Sequence, residues 1–266
     1  MAEAFPSLGG RYLLRERLGA GSMGVVYAAR DVQLDRDVAL KLAAAHAGSD
    51  AGDKLLGEAK ALARLAHPNV VTVYDAGVLD GQAYIAMQLA SGVSLWAWLR
   101  QRRRHPREVL AAFVDAGRGL GAAHEAGEVH RDFKPENVMV GPDGRVQLLD
   151  FGLSRAGFAS VHGTPAYMAP EQMEGQPSDH RTDQFSFCVA LWEALFGRRP
   201  FAGDTHWARY NAMDAGELQR PSRHVPRRLL RALERGLQRR PEDRWPSMAA
   251  LLDELERSAC EPPAWP

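Results

Sequence analysis

Three glycines spaced G-x-G-x-x-G, at Gly19, Gly21 and Gly24 in the segment LGAGSMGVVY, are the first residues in this chain whose pattern could do chemistry. A backbone without side chains at such points lets N–H groups approach phosphate oxygens. The same spacing serves dinucleotides when a helix opens directly after the third glycine. Here the following residues, GVVYAARD, alternate as a strand does and then reach a turn. The glycines therefore fall in a strand–turn–strand, a lid suited to closing over nucleotide phosphates, and an ordinary glycine-rich hairpin is the competing reading.

The elements that must position such a loop follow from periodicity. Residues 11–21, 24–31, 36–43, 70–79 and 82–90 read as strands separated by Gly, Asp and polar turns. One helix interrupts them at 53–66, where Leu55, Leu56, Ala59, Leu62 and Leu65 recur on a period near 3.6 and Pro68 blocks continuation. After Ser91-Gly92 the pattern changes to helices at 94–104 and 107–127, short strands around 138–149, and further helices to about 257. A small β-rich part thus precedes a larger α-rich part.

Further residues stand at telling intervals. Lys41 closes Val38-Ala-Leu-Lys41, seventeen residues after Gly24, and lysine is scarce: four residues against 29 arginines. His130-Arg-Asp-Phe-Lys-Pro-Glu-Asn137 lies at the middle of the chain, and Asp150-Phe-Gly152 begins eighteen residues after Asp132, with the turn signal Gly141-Pro-Asp-Gly144 between them. Gly163-Thr-Pro-Ala-Tyr-Met-Ala-Pro-Glu-Gln172 and Pro241-Glu-Asp-Arg-Trp245 follow. In this order the segments resemble the V-A-I-K, H-R-D-L-K-P-E-N, D-F-G and A-P-E signatures of the protein kinase family, over about residues 11–257. Phe133 replaces the usual leucine, an apolar change.

The resemblance implies an α+β, bilobal protein-kinase fold. A small antiparallel β-sheet lobe with one main helix would occupy about 1–88, a hinge about 88–92, and a larger, mostly α-helical lobe about 93–258, leaving 259–266 as a Pro-rich tail or the start of a linker. It implies that Lys41 pairs the α- and β-phosphates of ATP, with Glu58 on the first helix as its carboxylate partner, although an exposed helix glutamate is the plainer role for Glu58. Asp132 would receive the proton of the incoming hydroxyl, Lys134 would neutralise the moving phosphoryl group, and Asn137 and Asp150 would hold Mg2+, or Mn2+ in its place. Leu18, Val26 and Ala39 would roof the adenine ring and Met139 floor it. Met87 takes the gatekeeper place before Gln88-Leu89-Ala90, where backbone groups, Leu89 among them, meet the base. Asp183 would anchor the catalytic loop, or cap its helix, and Glu171 would pair with Arg244 in the interior.

Regulation follows by the same resemblance. Arg131 would grip a phosphate on the activation loop, with Ser160 as the autophosphorylation candidate, while Thr164 would contact Asp132 and Lys134. A lysine at position 134 resembles serine/threonine kinases of the eukaryotic-like, Hanks-type bacterial group. The implied reaction is transfer of the γ-phosphoryl group of Mg-ATP to a protein Ser or Thr. The alternatives are a catalytically silent pseudokinase scaffold, which typically loses the residues kept here, and a small-molecule phosphotransferase, which typically lacks the segment 163–172.

Composition sets the remaining bounds. At 266 residues and 45% hydrophobic content the chain can bury a sizeable core. Its 33 basic and 33 acidic residues cancel, which gives no reason to expect a nucleic-acid partner or an anionic membrane surface. The densest basic patch, Arg102 to Arg104 with Arg107, reads as a solvated helix end. Two cysteines, Cys188 and Cys260, make no disulfide framework or metal spacing, and no long apolar run occurs, so a soluble cytoplasmic domain is expected with protein substrates and ATP as partners. Oligomeric state is left open.

Overall fold

The computed structural model describes residues 7–21, 24–43, 56–57, 59, 62–63, 65–149, 166–219, 221 and 225–260. The chain divides into two compact units, residues 1–91 and 92–266.

The first unit holds a six-stranded antiparallel sheet: β1 (Ser7–Leu8), β2 (Tyr12–Gly21), β3 (Gly24–Asp31), β4 (Arg36–Ala43), β5 (Val73–Leu79) and β6 (Gln82–Gln88), in the order β1-β2-β3-β4-β6-β5. β2 and β3 pair antiparallel with Gly21 opposite Gly24 as their final register pair, so Gly19, Gly21 and Gly24 lie on two adjacent, paired strands. Within the helix expected at 53–66, residues 56, 57, 59 and 62 are helical, with Ala59 and Leu62 buried, but 63 is a turn and 65 and 66 are irregular, so the helix stops short of the expected end.

Directly opposed residues of an antiparallel ladder share a face, and alternate residues of a strand return to it. One face carries a core of Tyr12, Leu14, Val38, Leu40, Tyr84 and Ala86. On this unit's edge the Arg11 guanidinium grips Asp31 through two bonds of 3.1 and 3.0 Å and reaches Asp75 at 2.5 Å. Asp75 also accepts from the hydroxyls of Tyr12 and Tyr84, at 3.2 and 3.3 Å. Asp31 is fully buried and takes the N–H groups of Gln33 and Leu34 as well, which fixes the turn between β3 and β4. Its carboxyl is held below the ordinary carboxylate range, chiefly by the Arg11 hydrogen bond, which outweighs the opposing effect of burial.

The second unit begins with Gly92, whose φ of 116° and lack of a side chain allow the carbonyl of Val140 to approach; a Cβ there would lie 2.1 Å from that oxygen. A three-stranded sheet follows from β7 (Val93–Ser94), β8 (Val138–Val140) and β9 (Val146–Leu148). Seven α-helices are described: α1 (Leu95–Gln101), α2 (Pro106–Glu125), α3 (Pro170–Met173), α4 (His180–Phe196), α5 (His206–Asp214), α6 (Arg227–Gly236) and α7 (Met248–Ala259). Short 3-10 turns occupy Pro135–Asn137 and Pro241–Asp243. Helix α2 starts with a capping box, in which His105 accepts from the N–H of Arg107 while Glu108 accepts from that of His105.

Helix α4 is buried without interruption from Thr182 to Trp192, so it is a central helix and not an amphipathic surface one. α2, α6 and α7 pack around it. Its N-cap is Asp179, which accepts from the N–H of Arg181 at 2.7 Å. The capping role open to Asp183 in the sequence thus belongs to the residue four positions earlier; Asp183 lies inside the helix and is fully buried. None of the described helices is long and apolar enough to cross a membrane.

The Asp31 carboxylate gives a pH test. A group with a depressed native pKa stabilises the fold fully above its unfolded value, about 3.9, and loses that contribution as pH falls through the native value. Thermal midpoints should therefore fall as the pH drops below about 4, and fall less steeply in Asp31→Asn, which is already destabilised at neutral pH. Equal slopes in the two proteins would show that Asp31 does not carry the effect.

Candidate active site

The catalytic-loop segment lies between α2 and β8, and it is built from below. Phe133 is buried against His130 and Phe187, with ring centroids 6.2 and 5.6 Å apart, and Phe187 of α4 meets Phe113 of α2 at 5.6 Å. These aromatics bind the loop to the two central helices. His130 is buried, and its Nε2 lies 3.0 Å from the carbonyl oxygen of Leu149.

Asp183 holds the loop's backbone. Its Oδ2 accepts from the N–H of His130 at 2.7 Å and its Oδ1 from the N–H of Arg131 at 2.6 Å. His124 Nε2 sits 2.8 Å from Oδ2. Burial alone would raise this carboxyl; the His124 hydrogen bond, the charges of His124 and His130 and the His130 N–H reverse that and hold it low. Arg131 takes a φ of 62°, a left-handed value unusual for a residue with a side chain, and its carbonyl accepts from Gln172 Nε2 at 2.8 Å. The main chain of Arg131 is therefore held from both directions.

This brings three polar side chains together. Lys134 Nζ lies 2.9 Å from Asp132 Oδ2, and Asn137 Nδ2 donates to the same oxygen at 3.2 Å and to the Asp132 carbonyl at 2.9 Å. The 3-10 turn Pro135–Asn137 supplies the geometry by which Asn137 turns back over five residues. Asp132 and Lys134 remain partly exposed, so a ligand can reach them. The Asn137 amide nitrogen is committed to Asp132, which leaves its carbonyl oxygen as the atom for a hard cation.

In the first unit, Val26 is opposite Lys41, and Ala39 is opposite both Ala28 and Met87. Val26, Ala39, Lys41 and Met87 are thus gathered on the face of the sheet away from the Tyr12 core. Lys41 is only 4% exposed. Gly19 lies opposite Val26 with open space where a Cβ would project, whereas a Cβ at Gly24 would lie 1.9 Å from the Leu42 carbonyl oxygen, at a φ of 142°. Leu18 is half exposed on β2, Leu89 is half-buried just past β6, and Met139 is on β8 of the second unit. Glu58, Asp150, Ser160 and Thr164 lie outside the described residues.

Glu171 and Arg244 form a bidentate pair at 2.7 and 2.8 Å, both buried. The remaining Arg244 donors go to the carbonyls of Gln238, Arg181 and Arg239, and Thr182 Oγ1 donates to Glu171 at 2.9 Å. All five guanidinium hydrogens are used. Sequence reasoning missed His124, Gln172 and the 2.7 Å bond from the Tyr167 hydroxyl to Glu193, for which no local spacing gives a signal.

The family model described as protein kinase domain matches residues 12–254. The chain belongs to the protein kinase family. It is 37% identical over 268 residues to serine/threonine-protein kinase PknL of Mycobacterium tuberculosis, which covers 96% of this chain and 67% of that protein. It is 37% identical over 250 residues to PknE of the same organism, covering 89% and 44%, and 36% identical over 275 residues to tyrosine-protein kinase MasK of Myxococcus xanthus, covering 93% and 43%. The chain thus spans two thirds of PknL and less than half of PknE and MasK. A crystal structure of the M. tuberculosis PknI kinase domain superposes with a TM-score of 0.75 at 28% identity, over 97% of this chain and all of that one. The fold is the protein-kinase fold expected from the sequence, and the relatives place the chain among bacterial serine/threonine protein kinases. The family uses ATP with a divalent metal.

Breaking the buried pair gives a stability test. Glu171→Ala should lower the unfolding free energy by about 3–5 kcal/mol in urea titration, because it strands the Arg244 charge. Replacing both residues by apolar ones should cost less than this single change.

Proposed function

We propose that this protein transfers the γ-phosphoryl group of Mg-ATP to a serine or threonine hydroxyl of a protein. The observation that carries the reading is the meeting of Asp132, Lys134 and Asn137 on a loop whose backbone Asp183 holds. Bound Mg-ATP supplies the electrophilic phosphorus and the cation that offsets its charge. Asp132 accepts the proton of the attacking hydroxyl, and Lys134, already beside that carboxylate, neutralises charge that builds on the phosphoryl oxygens. Asn137 would hold the metal through its amide oxygen together with Asp150. Lys41 would hold phosphate, its ammonium fixed by burial on β4, and the glycines of the β2–β3 hairpin suit a backbone cradle.

Serine or threonine is favoured as acceptor by Lys134 and by the likeness to the serine/threonine-protein kinases PknL and PknE. A pseudokinase scaffold is disfavoured because the sequence retains Lys41, Glu58, Asp132, Asn137 and Asp150. We assign Ser160 as the regulatory phosphosite with Arg131 as its clamp. Among the described residues the Arg131 guanidinium meets only the Val129 carbonyl, at 3.3 Å, and so has donors to offer a phosphate. Protein substrates and cytoplasmic action complete the reading.

The test is phosphotransfer to a generic protein substrate with Mg-ATP, followed by phosphoamino-acid analysis. Phosphoserine or phosphothreonine should form, and Asp132→Asn should reduce turnover by about 10²–10⁴-fold with its melting curve unchanged. Lys41→Met and Asp150→Asn should fall by a similar order with the fold kept. Phosphotyrosine as the main product, or ATP binding without transfer in the wild type, would refute the assignment. Undiminished activity of Ser160→Ala, with no phosphate on Ser160 by mass spectrometry, would remove the regulatory part alone.

A further inference from the structure

The described residues include a pocket of about 570 Å³ on the second unit, lined by Arg227, Arg228, Arg231, Arg235, Trp245 and Glu254. The four arginines occur at i, i+1, i+4 and i+8 of α6, which places them within about 100° of arc on one side of the helix. This cluster differs in kind from the one at Arg102 to Arg104. Arg102 pairs with Glu108, and Arg104 stacks on Trp98 at 3.8 Å while donating to its carbonyl, so that patch is internally satisfied. Among the described residues, Glu254 is the one carboxylate lining the α6 pocket; it lies 3.4 Å from Arg228 and is shared with Arg257 at 2.8 Å. Among the described residues Arg227, Arg231 and Arg235 have no carboxylate partner.

The wall of the pocket is rigid. Trp245 donates its indole N–H to the carbonyl of Ala232 at 3.0 Å, and Arg235 lies over its ring at 4.2 Å. Trp245 follows Arg244, the residue locked to Glu171. The fold gains nothing evident from this concentration of charge: α6 has no acidic residue and no side-chain cap in its first turn, so its leading arginines oppose the helix dipole.

We propose that this pocket docks an acidic segment of a partner protein, in extended conformation. Guanidinium groups present paired donors that match carboxylates, and a fixed indole beside them gives an apolar surface for the segment's backbone and stems. Spacing selects the occupant. Arg227 and Arg235 are about 12 Å apart along the axis, the length of about four extended residues, which distributes the charges for a run of Asp and Glu and does not focus them on one phosphate. The patch is too short for the multiple phosphate contacts on which nucleic-acid binding depends.

The test is fluorescence anisotropy of the full chain with a fluorescein-labelled peptide bearing a run of Asp and Glu. Saturable binding with Kd below about 1 mM at low salt is expected, weakening as salt rises. The triple variant Arg227→Ser, Arg231→Ser, Arg235→Ser should bind at least about tenfold more weakly, while its melting curve and its phosphorylation of a peptide without an acidic run stay unchanged. Four results would each overturn the proposal: no saturation up to about 1 mM, equal binding by the variant, a singly phosphorylated neutral peptide binding as tightly, or an oligonucleotide of equal charge binding more tightly.

Discussion

A carboxylate fully buried in the first turn of a helix that has no exposed side from Thr182 to Trp192 is an expensive thing to place in a protein, and Asp183 is offset by what it holds. Its two oxygens accept two consecutive main-chain N–H groups, those of His130 and Arg131, with His124 as a third partner. The second of those residues is in a left-handed conformation that a side chain disfavours by about 1–3 kcal/mol. Asp183 on one side and Gln172 on the other keep it there, and the next residue along is Asp132. Position of the Asp132 carboxylate is thus inherited from α4, which is buried without interruption from Thr182 to Trp192.

The same logic of rigid support recurs at smaller scale. Phe133 ties the loop sideways into the aromatic contacts between α2 and α4, and the 3-10 turn Pro135–Asn137 sets the return of Asn137. In the other unit Arg11, just before β2, ties Asp31 at the end of β3 to Asp75 of β5, in the sheet whose opposite face carries Lys41. Each device fixes backbone first and lets side chains follow, which suits a reaction that depends on placement and charge more than on covalent chemistry.

What could be read in advance was what is local. GVVYAARD alternates, and it forms a strand; QFSFCVALWEALF is apolar all round, and it forms the central helix. The loop bearing Asp132 was legible because its whole motif is contiguous. Arg11 meets Asp31 and Asp75 across 20 and 64 residues, and His124 meets Asp183 across 59, so nothing in the neighbouring sequence announces them. Whether Asp183 caps its helix turned on where that helix starts, which periodicity does not decide: the cap is Asp179. Counting arginines drew attention to residues 102–104, yet what separates that patch from α6 is Glu108, which serves both Arg102 and Arg104, whereas among the described residues Arg227, Arg231 and Arg235 meet no carboxylate, a tertiary matter.

Arg244 spends every hydrogen it has: two on Glu171 and three on the carbonyls of residues 181, 238 and 239. An ammonium has three hydrogens in a cone where this cavity wants five in a plane, so lysine would leave oxygens in the dark with no donor. The position is therefore spelled with a one-letter alphabet. Drift at 244 must await drift at 171, and the two sites, 73 residues apart, are tethered in descent as firmly as they are in space.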